Sequence, residues 1–480
     1  MDGLLPILLL VADFAARLTV AGIIILRSRG TPAVRMTWLV VLMAVPVVGV
    51  VAYLLFGEPR LGRRRVRRYL AAANTLRVRE PEYVATAPPF KPDIPAEYRQ
   101  IAHLAESVGG NIPQGGHTLC LYGDTNLFIQ ALVEDLNNAK LHCHLLFYIF
   151  LTDHSGTRVA EALIAAAGRG VKCRLLVDGV GSRGFLRSEL RQHLDAAGVR
   201  VVAALPANLA RMLLARLDLR NHRKIAVIDG VVGYTGSQNI ADAEFAIKSK
   251  FAPWVDAMIR IEGPVVRDLQ VLFVQDWHMD THETLGDVLA VRPTPVRGGD
   301  TVQVIGTGPA CYNEAMLQMT LVTMHAATDE LIITTPYFVP DEATLAALYT
   351  CALRGVDVSL VVPARNDSPL VAAASRSYYA SLLDAGVAIH EYRAGLLHAK
   401  TITVDRRLAM ITTANLDRRS FELNFEVSTM VYNSNFASQL RLMQKNYMDD
   451  SDRVNATSWS DRGWPRKLVE NGLGIFSPLL

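Results

Sequence analysis

One set of landmarks occurs twice in this chain, in the same order, and that duplication limits the possible folds more than any other feature. The first set is FYIF at Phe147–Phe150, RGVKCRLLVDG from Arg169, AAGVRVV from Ala196 and HRKIAVID from His222. The second is PYFV at Pro336–Val339, RGVDVSLVVPA from Arg354, DAGVAIHEY from Asp384 and HAKTITVD from His398. Gly170 and Gly198 stand 28 residues apart, Gly355 and Gly386 31. A repeat of this length implies two similar domains rather than a solenoid. From about Ala96 onward apolar strands alternate with helical segments, the pattern of an α/β fold. Each Arg-Gly-Val step reads as a helix C-cap leading into a buried strand. The stretch RPTPVRGG at Arg292–Gly299 reads as the junction, giving domains at 96–290 and 300–480.

The chemistry stands at the same place in both copies. Each carries H-x-K-x4-D: His222, Lys224 and Asp229 in the first, continued by Gly236, Ser237 and Asn239, and His398, Lys400 and Asp405 in the second, continued by Asn415. Residues i and i+2 of a strand face one way, so each histidine projects with its lysine. Imidazole serves as nucleophile or proton donor because its pKa lies near neutrality. A lysine beside it offers fixed positive charge to a phosphoryl oxygen. One copy could be a solvated strand edge; two copies at matched positions in a duplicated unit argue for a site.

Composition excludes several classes. Lys+Arg number 49 against 46 Asp+Glu, a net charge of +3, too balanced for a general nucleic-acid binder. The five cysteines, Cys120, Cys143, Cys173, Cys311 and Cys351, lie far apart without a CxxC pair and read as reduced core residues. His142, Cys143 and His144 alternate between strand faces with no second ligand cluster nearby, so no metal site is expected.

Half the residues are hydrophobic, and the excess is local to the N-terminus. Trp38–Phe56 carries no charge and approaches the roughly 20 residues that span a bilayer core. Leu4–Leu26 is also apolar but holds Asp13 and Arg17, four apart on one helical face and able to pair. The expectation is a transmembrane hairpin over 1–57, with helices at about 4–26 and 38–56, followed by a basic juxtamembrane linker over 58–95. Arg60, Arg63, Arg64, Arg65, Arg67 and Arg68 follow the second segment, against Arg27, Arg29 and Arg35 between the two. The larger cluster should stay cytoplasmic, placing the N-terminus and the catalytic body inside a multi-pass inner-membrane protein. It should also hold the body near anionic lipids.

Paired H-x-K-x4-D motifs of this kind resemble the signature of the phospholipase D superfamily, over nearly everything after Ala96. RNHRKIAVIDG (Arg220–Gly230), TPYFVPD (Thr335–Asp341), RIEGPVV (Arg260–Val266) and NLDRRSFELNFE (Asn415–Glu426), behind two membrane segments, are similar to bacterial cardiolipin synthases. The resemblance implies two tandem phospholipase D-like domains, mixed β-sheets flanked by helices and related by a pseudo-two-fold. It implies conversion of two phosphatidylglycerols to cardiolipin and glycerol, without metal, nucleotide or other cofactor.

It also implies roles. His222 becomes the nucleophile and His398 the acid/base. Lys224, Lys400, Ser237, Asn239 and Asn415 hold the phosphate. Asp229 and Asp405 complete the catalytic motif, although such aspartates more often support the fold than touch substrate. Histidine-orienting carboxylates usually follow by 25 to 35 residues in this superfamily; Asp256 lies 34 after His222 and Glu426 28 after His398. Two departures stand out. Thr412 and Thr413 replace the motif's Gly and Ser, and Leu146 stands where a glutamate is expected. The alternatives are a phosphatidyl transfer with another donor or acceptor, a membrane-tethered nuclease, and a non-catalytic lipid-binding scaffold. Finally, the first copy holds extra residues before its histidine. Within Asn208–Arg220, Leu209, Met212, Leu213 and Leu217 fall at helical spacing flanked by Arg211 and Arg216, which fits either a core stripe or an interfacial helix.

Overall fold

The computed structural model describes residues 4–26, 32–57, 65–71, 92–206, 218–291, 293–296, 299–310 and 314–474. The stripe from 208 to 217 and Cys311 lie outside them.

Seven strands build the first repeat: β1 (Gln114–Tyr122), β2 (His142–Phe147), β3 (Lys172–Asp178), β4 (Arg200–Ala204), β5 (Ile225–Ile228), β6 (Val232–Gly236) and β7 (Met258–Glu262). Seven build the second: β8 (Asp300–Thr307), β9 (Glu330–Thr334), β10 (Asp357–Pro363), β11 (Ala388–Tyr392), β12 (Thr401–Val404), β13 (Leu408–Thr412) and β14 (Asn424–Val431), with a short β15 (Ser451–Arg453) added at the edge. The first runs β4-β3-β2-β5-β6-β7-β1 and the second β8-β14-β13-β12-β9-β10-β11, the same order reflected about the β1–β8 pair. In each half three strands are parallel and the others antiparallel. The expected sheets are therefore fused into one, joined where β1 and β8 pair antiparallel, with Gln114 opposite Val302.

The parallel strands need crossover helices, and the sequence supplies their ends. The helix His154–Gly168 is capped by Asp153, whose carboxylate accepts the Gly156 N–H, and Glu342–Leu353 is capped in the same way by Asp341. Each ends in Arg-Gly, with Gly170 at φ 90° and Gly355 at φ 91°, a backbone that costs glycine nothing. Separate apolar cores lie under the two sets of crossovers. A third, built from both halves (Leu146, Ile261 and Phe273 with Val304, Ile411 and Leu440), covers the opposite face. The absent glutamate at 146 is thus a core leucine. His142 and His144 stack on that face and share the Gln270 Oε1, while Cys143 points into the first core. Cys143, Cys173 and Cys351 are buried free thiols as expected; Cys120 is exposed instead.

The N-terminal region departs from the expected hairpin. α1 (Leu4–Leu26) is continuous, and it alone among the described helices is long and apolar enough to cross a membrane. The second segment is broken into α2 (Pro32–Ala44) and α3 (Val48–Phe56). Pro46 has no N–H to continue the helix, and Val47 takes φ 60°. The break is a reversal. The Trp38 and Tyr53 rings sit 5.4 Å apart edge-on, whereas a continuous helix would hold residues fifteen apart at about 22 Å. Asp13 and Arg17 pair at 2.7 Å, as expected.

Candidate active site

Both motif histidines lie where the two halves meet. His222 follows a two-residue strand, Arg220–Asn221, that pairs in parallel with the start of β14 in the other half, and its N–H donates to Phe425 O at 2.9 Å. His398 follows Leu396–Leu397, which pairs with Trp254–Val255, and its N–H donates to Val255 O at 2.7 Å. Each histidine is therefore held against the strand that carries the other half's carboxylate.

The orienting pairs are crossed as a result. His222 Nδ1 lies 3.0 Å from both oxygens of Glu426, and His398 Nδ1 lies 2.7 Å from Asp256 Oδ1. Asp256 and Glu426 were identified from their distances after His222 and His398; the structure exchanges those partners, because the chain crosses the interface between them. With Nδ1–H donated to a carboxylate, each Nε2 keeps its lone pair.

The lysines are buried beside them, Lys224 Nζ donating to His222 O at 2.8 Å and Lys400 Nζ to His398 O at 2.7 Å. Burial and the two lysines push both imidazoles down to about 4, with the carboxylates partly offsetting this. Burial lowers Lys224 to about 8 and holds Lys400 well below the ordinary lysine range. For Asp256 burial acts upward, but His398, Lys400 and Ser237 together hold it at about 2; Glu426 is lowered against burial by His222, Lys224 and Thr413. At neutral pH the site holds two neutral imidazoles, two carboxylates and positive charge on Lys224, while burial works against the charge on Lys400.

The remaining motif residues divide. Ser237 Oγ donates to Asp256 at 2.6 Å and accepts the Ala257 N–H at 3.0 Å, so its hydroxyl holds a carboxylate rather than standing free for phosphate. Thr413 repeats this in the second half, donating to Glu426 and accepting the Val427 N–H. The departure at 413 conserves the hydroxyl's work. Thr412 Oγ1 pairs with Ser428 Oγ at 2.7 Å. Asn239 Oδ1 accepts the Ile149 N–H at 3.0 Å, which turns its amide NH2 away from that backbone. Asn415 is held differently: its Nδ2 donates to Asp417 and Ser420, leaving a buried Oδ1 without a partner among the described residues.

Asp229 and Asp405 are not in the site. They stand in the β5–β6 and β12–β13 turns, at φ 53° and 50°, by the amino ends of β2 and β9, whereas the histidines lie by the carboxyl ends. Seven residues of strand put about 23 Å between motif histidine and motif aspartate. Asp229 accepts the N–H groups of Lys140, Leu141 and His142, and Asp405 those of Thr328, Asp329 and Glu330. They bind turn to strand, which is the fold-supporting role.

Several residues escaped the sequence reading. The Tyr148 ring meets His222 edge-on at 4.9 Å, and the Trp254 ring lies 4.7 Å from His398. Asn424 Nδ2 donates to Glu426 at 3.1 Å. Tyr337 donates to Asp367, which Lys248 of the first half also pairs with. Tyr148 and Tyr337 stand at the same place in FYIF and PYFV, so the repeat itself carried a signal for them. Behind His222, Arg223 is fully buried; it pairs with Asp276 at 2.9 Å and donates to Glu426 O, Thr307 O and Tyr69 Oη. Tyr69 belongs to a helical segment at 65–71, tied to the body by Arg65–Asp280 at 2.8 Å and by its ring against Phe425. The chain leaving the membrane region thus packs next to the strand that bears Glu426.

Comparison with known proteins agrees with this geometry. The family model described as "Cardiolipin synthase, PLD-like domain" matches residues 132–277 and 321–446. One described as "Phospholipase_D-nuclease N-terminal" matches 18–58. Cardiolipin synthase A of Pectobacterium carotovorum is 40% identical over 479 residues, covering 97% of each chain. That of Serratia proteamaculans is 38% identical over 475 residues, again 97% of each. That of Edwardsiella ictaluri is 37% identical over 465 residues, 95% of each. The crystal structure of phosphatidylserine synthase from Haemophilus influenzae superposes with a TM-score of 0.60 at 14% identity, covering 79% of this chain and all of that one; the two share a fold.

Proposed function

The chain belongs to the cardiolipin synthase family of phospholipase D-like proteins, and from that premise we propose that it joins two phosphatidylglycerols into cardiolipin, releasing glycerol, through a phosphatidyl-histidine. The observation that carries the mechanism is the crossed pair of histidine–carboxylate contacts, which gives one site two imidazoles with free Nε2 atoms.

In the first step His222 Nε2 attacks the phosphorus of one lipid, forming a P–N bond as the P–O bond to the headgroup glycerol breaks. His398 donates its Nε2 proton to the departing oxygen. It must carry that proton although burial depresses its pKa; the bound phosphodiester supplies the negative charge that raises it. In the second step the neutral His398 takes the proton of a second phosphatidylglycerol's hydroxyl. That oxygen attacks phosphorus, and the P–N bond breaks to restore His222. Lys224, Lys400 and the Asn239 amide stabilise the charge on the nonbridging oxygens. Asp256 and Glu426 fix the imidazole orientation and offset the imidazolium as it forms. Every proton is accounted for by residues of this chain.

A lipid substrate suits a site whose back wall packs on the segment leaving the membrane. The catalytic body is assigned to the cytoplasmic face of the inner membrane by the arginines after Phe56, with phosphatidylglycerol and other anionic lipids as its partners. Incubation with headgroup-labelled phosphatidylglycerol, followed by lipid mass spectrometry, tests the reading. It predicts cardiolipin and one labelled glycerol per turnover. Phosphatidic acid as the main product, or cardiolipin formed only when phosphatidylethanolamine is added, would replace it with hydrolysis or with a different donor.

A further inference from the structure

We infer that only α1 crosses the bilayer, and that α2 and α3 enter and leave by the same face as a re-entrant hairpin. Leu4's end of α1 then lies on the opposite side from both the α1–α2 link and the catalytic body.

Lengths make the first argument. α1, at 23 residues, is about 35 Å long, enough for a hydrocarbon core of about 30 Å. α2 has 13 residues and α3 has 9, about 20 and 13 Å, and neither reaches across alone. The Trp38–Tyr53 contact folds them together rather than end to end. The close approach is tight at Gly49, where an added Cβ would stand 2.7 Å from Val41 O.

The second argument is what the reversal does with its backbone. A broken helix inside lipid exposes N–H groups that water cannot reach, and such groups persist only where protein satisfies them. The Val47 N–H at the apex donates to Asp13 Oδ1 at 3.1 Å, and Asp13 is neutralised by Arg17. Asp13 is the tenth of the 23 residues of α1, so the apex meets the spanning helix near its middle. A charged pair at that depth is costly on a plain spanning helix; here it has a partner that requires it. Val40, Met43, Val48, Val51 and Leu54 remain exposed on the hairpin, an apolar surface for acyl chains.

Charge makes the third. Two full crossings would divide the arginines, leaving Arg27, Arg29 and Arg35 on one side and the cluster from Arg60 to Arg68 on the other. A re-entrant hairpin gathers both sets on one face, where the positive-inside rule wants them.

The full chain with Asp2→Cys or Ser28→Cys, reacted in intact spheroplasts with a membrane-impermeant maleimide and mapped by peptide mass, tests this; the exposed native Cys120 reports the side of the body. The expected result is label on Asp2→Cys from outside, with Ser28→Cys and Cys120 labelled only after the membrane is opened. Ser28→Cys labelled from outside while Cys120 is protected, or positions 2 and 28 behaving alike, overturns the inference. Ser28→Cys and Cys120 both labelled from outside, with Asp2→Cys protected, keeps the re-entrant hairpin but overturns the cytoplasmic placement of the body.

Discussion

Glu426 grips His222 through both oxygens, and Asp256 grips His398 through one, so each half controls the tautomer of the other half's imidazole. Glu426→Gln and Asp256→Asn keep shape while removing the charge that offsets an imidazolium. Each is expected to lower kcat on the order of 10³–10⁴-fold, with KM for lipid nearly unchanged. Thr413→Ser should retain activity, since the hydroxyl survives. Thr413→Val removes a donor from buried Glu426 and should cost about 1–3 kcal/mol of stability together with much of the turnover. The imidazoles carry a pH signature as well. Burial holds both at about 4, below the unfolded value of about 6.5. The unfolded chain therefore binds more protons between those limits, and stability should rise with pH across that window. Midpoints near 4 in an NMR titration of the free protein, moving upward when a phosphate ester binds, would agree; midpoints near 6.5 in the free protein would not. The histidines and lysines were legible because duplication separates a site from chance. The crossed partners were not, because spacing along the chain cannot say which half a side chain leans towards. Thr413 departs from the motif's serine, yet its hydroxyl does the work of Ser237.

Turns and helices tell a similar story one scale up. The aspartates of the motif are as regular in sequence as the histidines, yet they lie at the far end of the sheet, each collecting three backbone N–H groups. Asp229→Ala and Asp405→Ala should each lose on the order of 2 kcal/mol of stability. The surviving folded fraction should turn over within about twofold of wild type, because neither side chain reaches the chemistry. Thermal unfolding alongside active-site titration separates the two effects; a collapse of kcat in fully folded protein would return them to the catalytic group. The Arg-Gly-Val caps and the strands after them could be read directly, since a left-handed glycine and a buried apolar run are local features. The broken membrane segment could not. Whether a helix bends or reverses at a proline such as Pro46 depends on what receives the freed N–H, and Asp13 lies 34 residues earlier.

At the scale of the whole molecule, the two expected domains are one sheet. β1 and β8 join the halves, and a single apolar core runs under both. The buried Arg223–Asp276 pair reinforces the seam, since Arg223 also donates to Thr307 O and Glu426 O of the second half. Neither half holds a complete site, because each supplies a histidine to the other's carboxylate. Arg223→Ala strands a buried carboxylate, and it is expected to destabilise by about 3–5 kcal/mol, which chemical denaturation would register. The repeat announced two similar units; it did not announce fusion, which depends on edge strands finding each other. The central claim, one shared site working through a covalent intermediate on His222, is tested most directly with the His398→Asn variant and phosphate-labelled phosphatidyl-p-nitrophenol, whose nitrophenolate departs without the proton that His398 gives to glycerol, quenched under alkaline denaturing conditions. The account predicts label on the peptide bearing His222, close to one per chain, and none in the His222→Asn/His398→Asn double variant. Label on any other residue, or no label while wild type turns over under the same conditions, would contradict it.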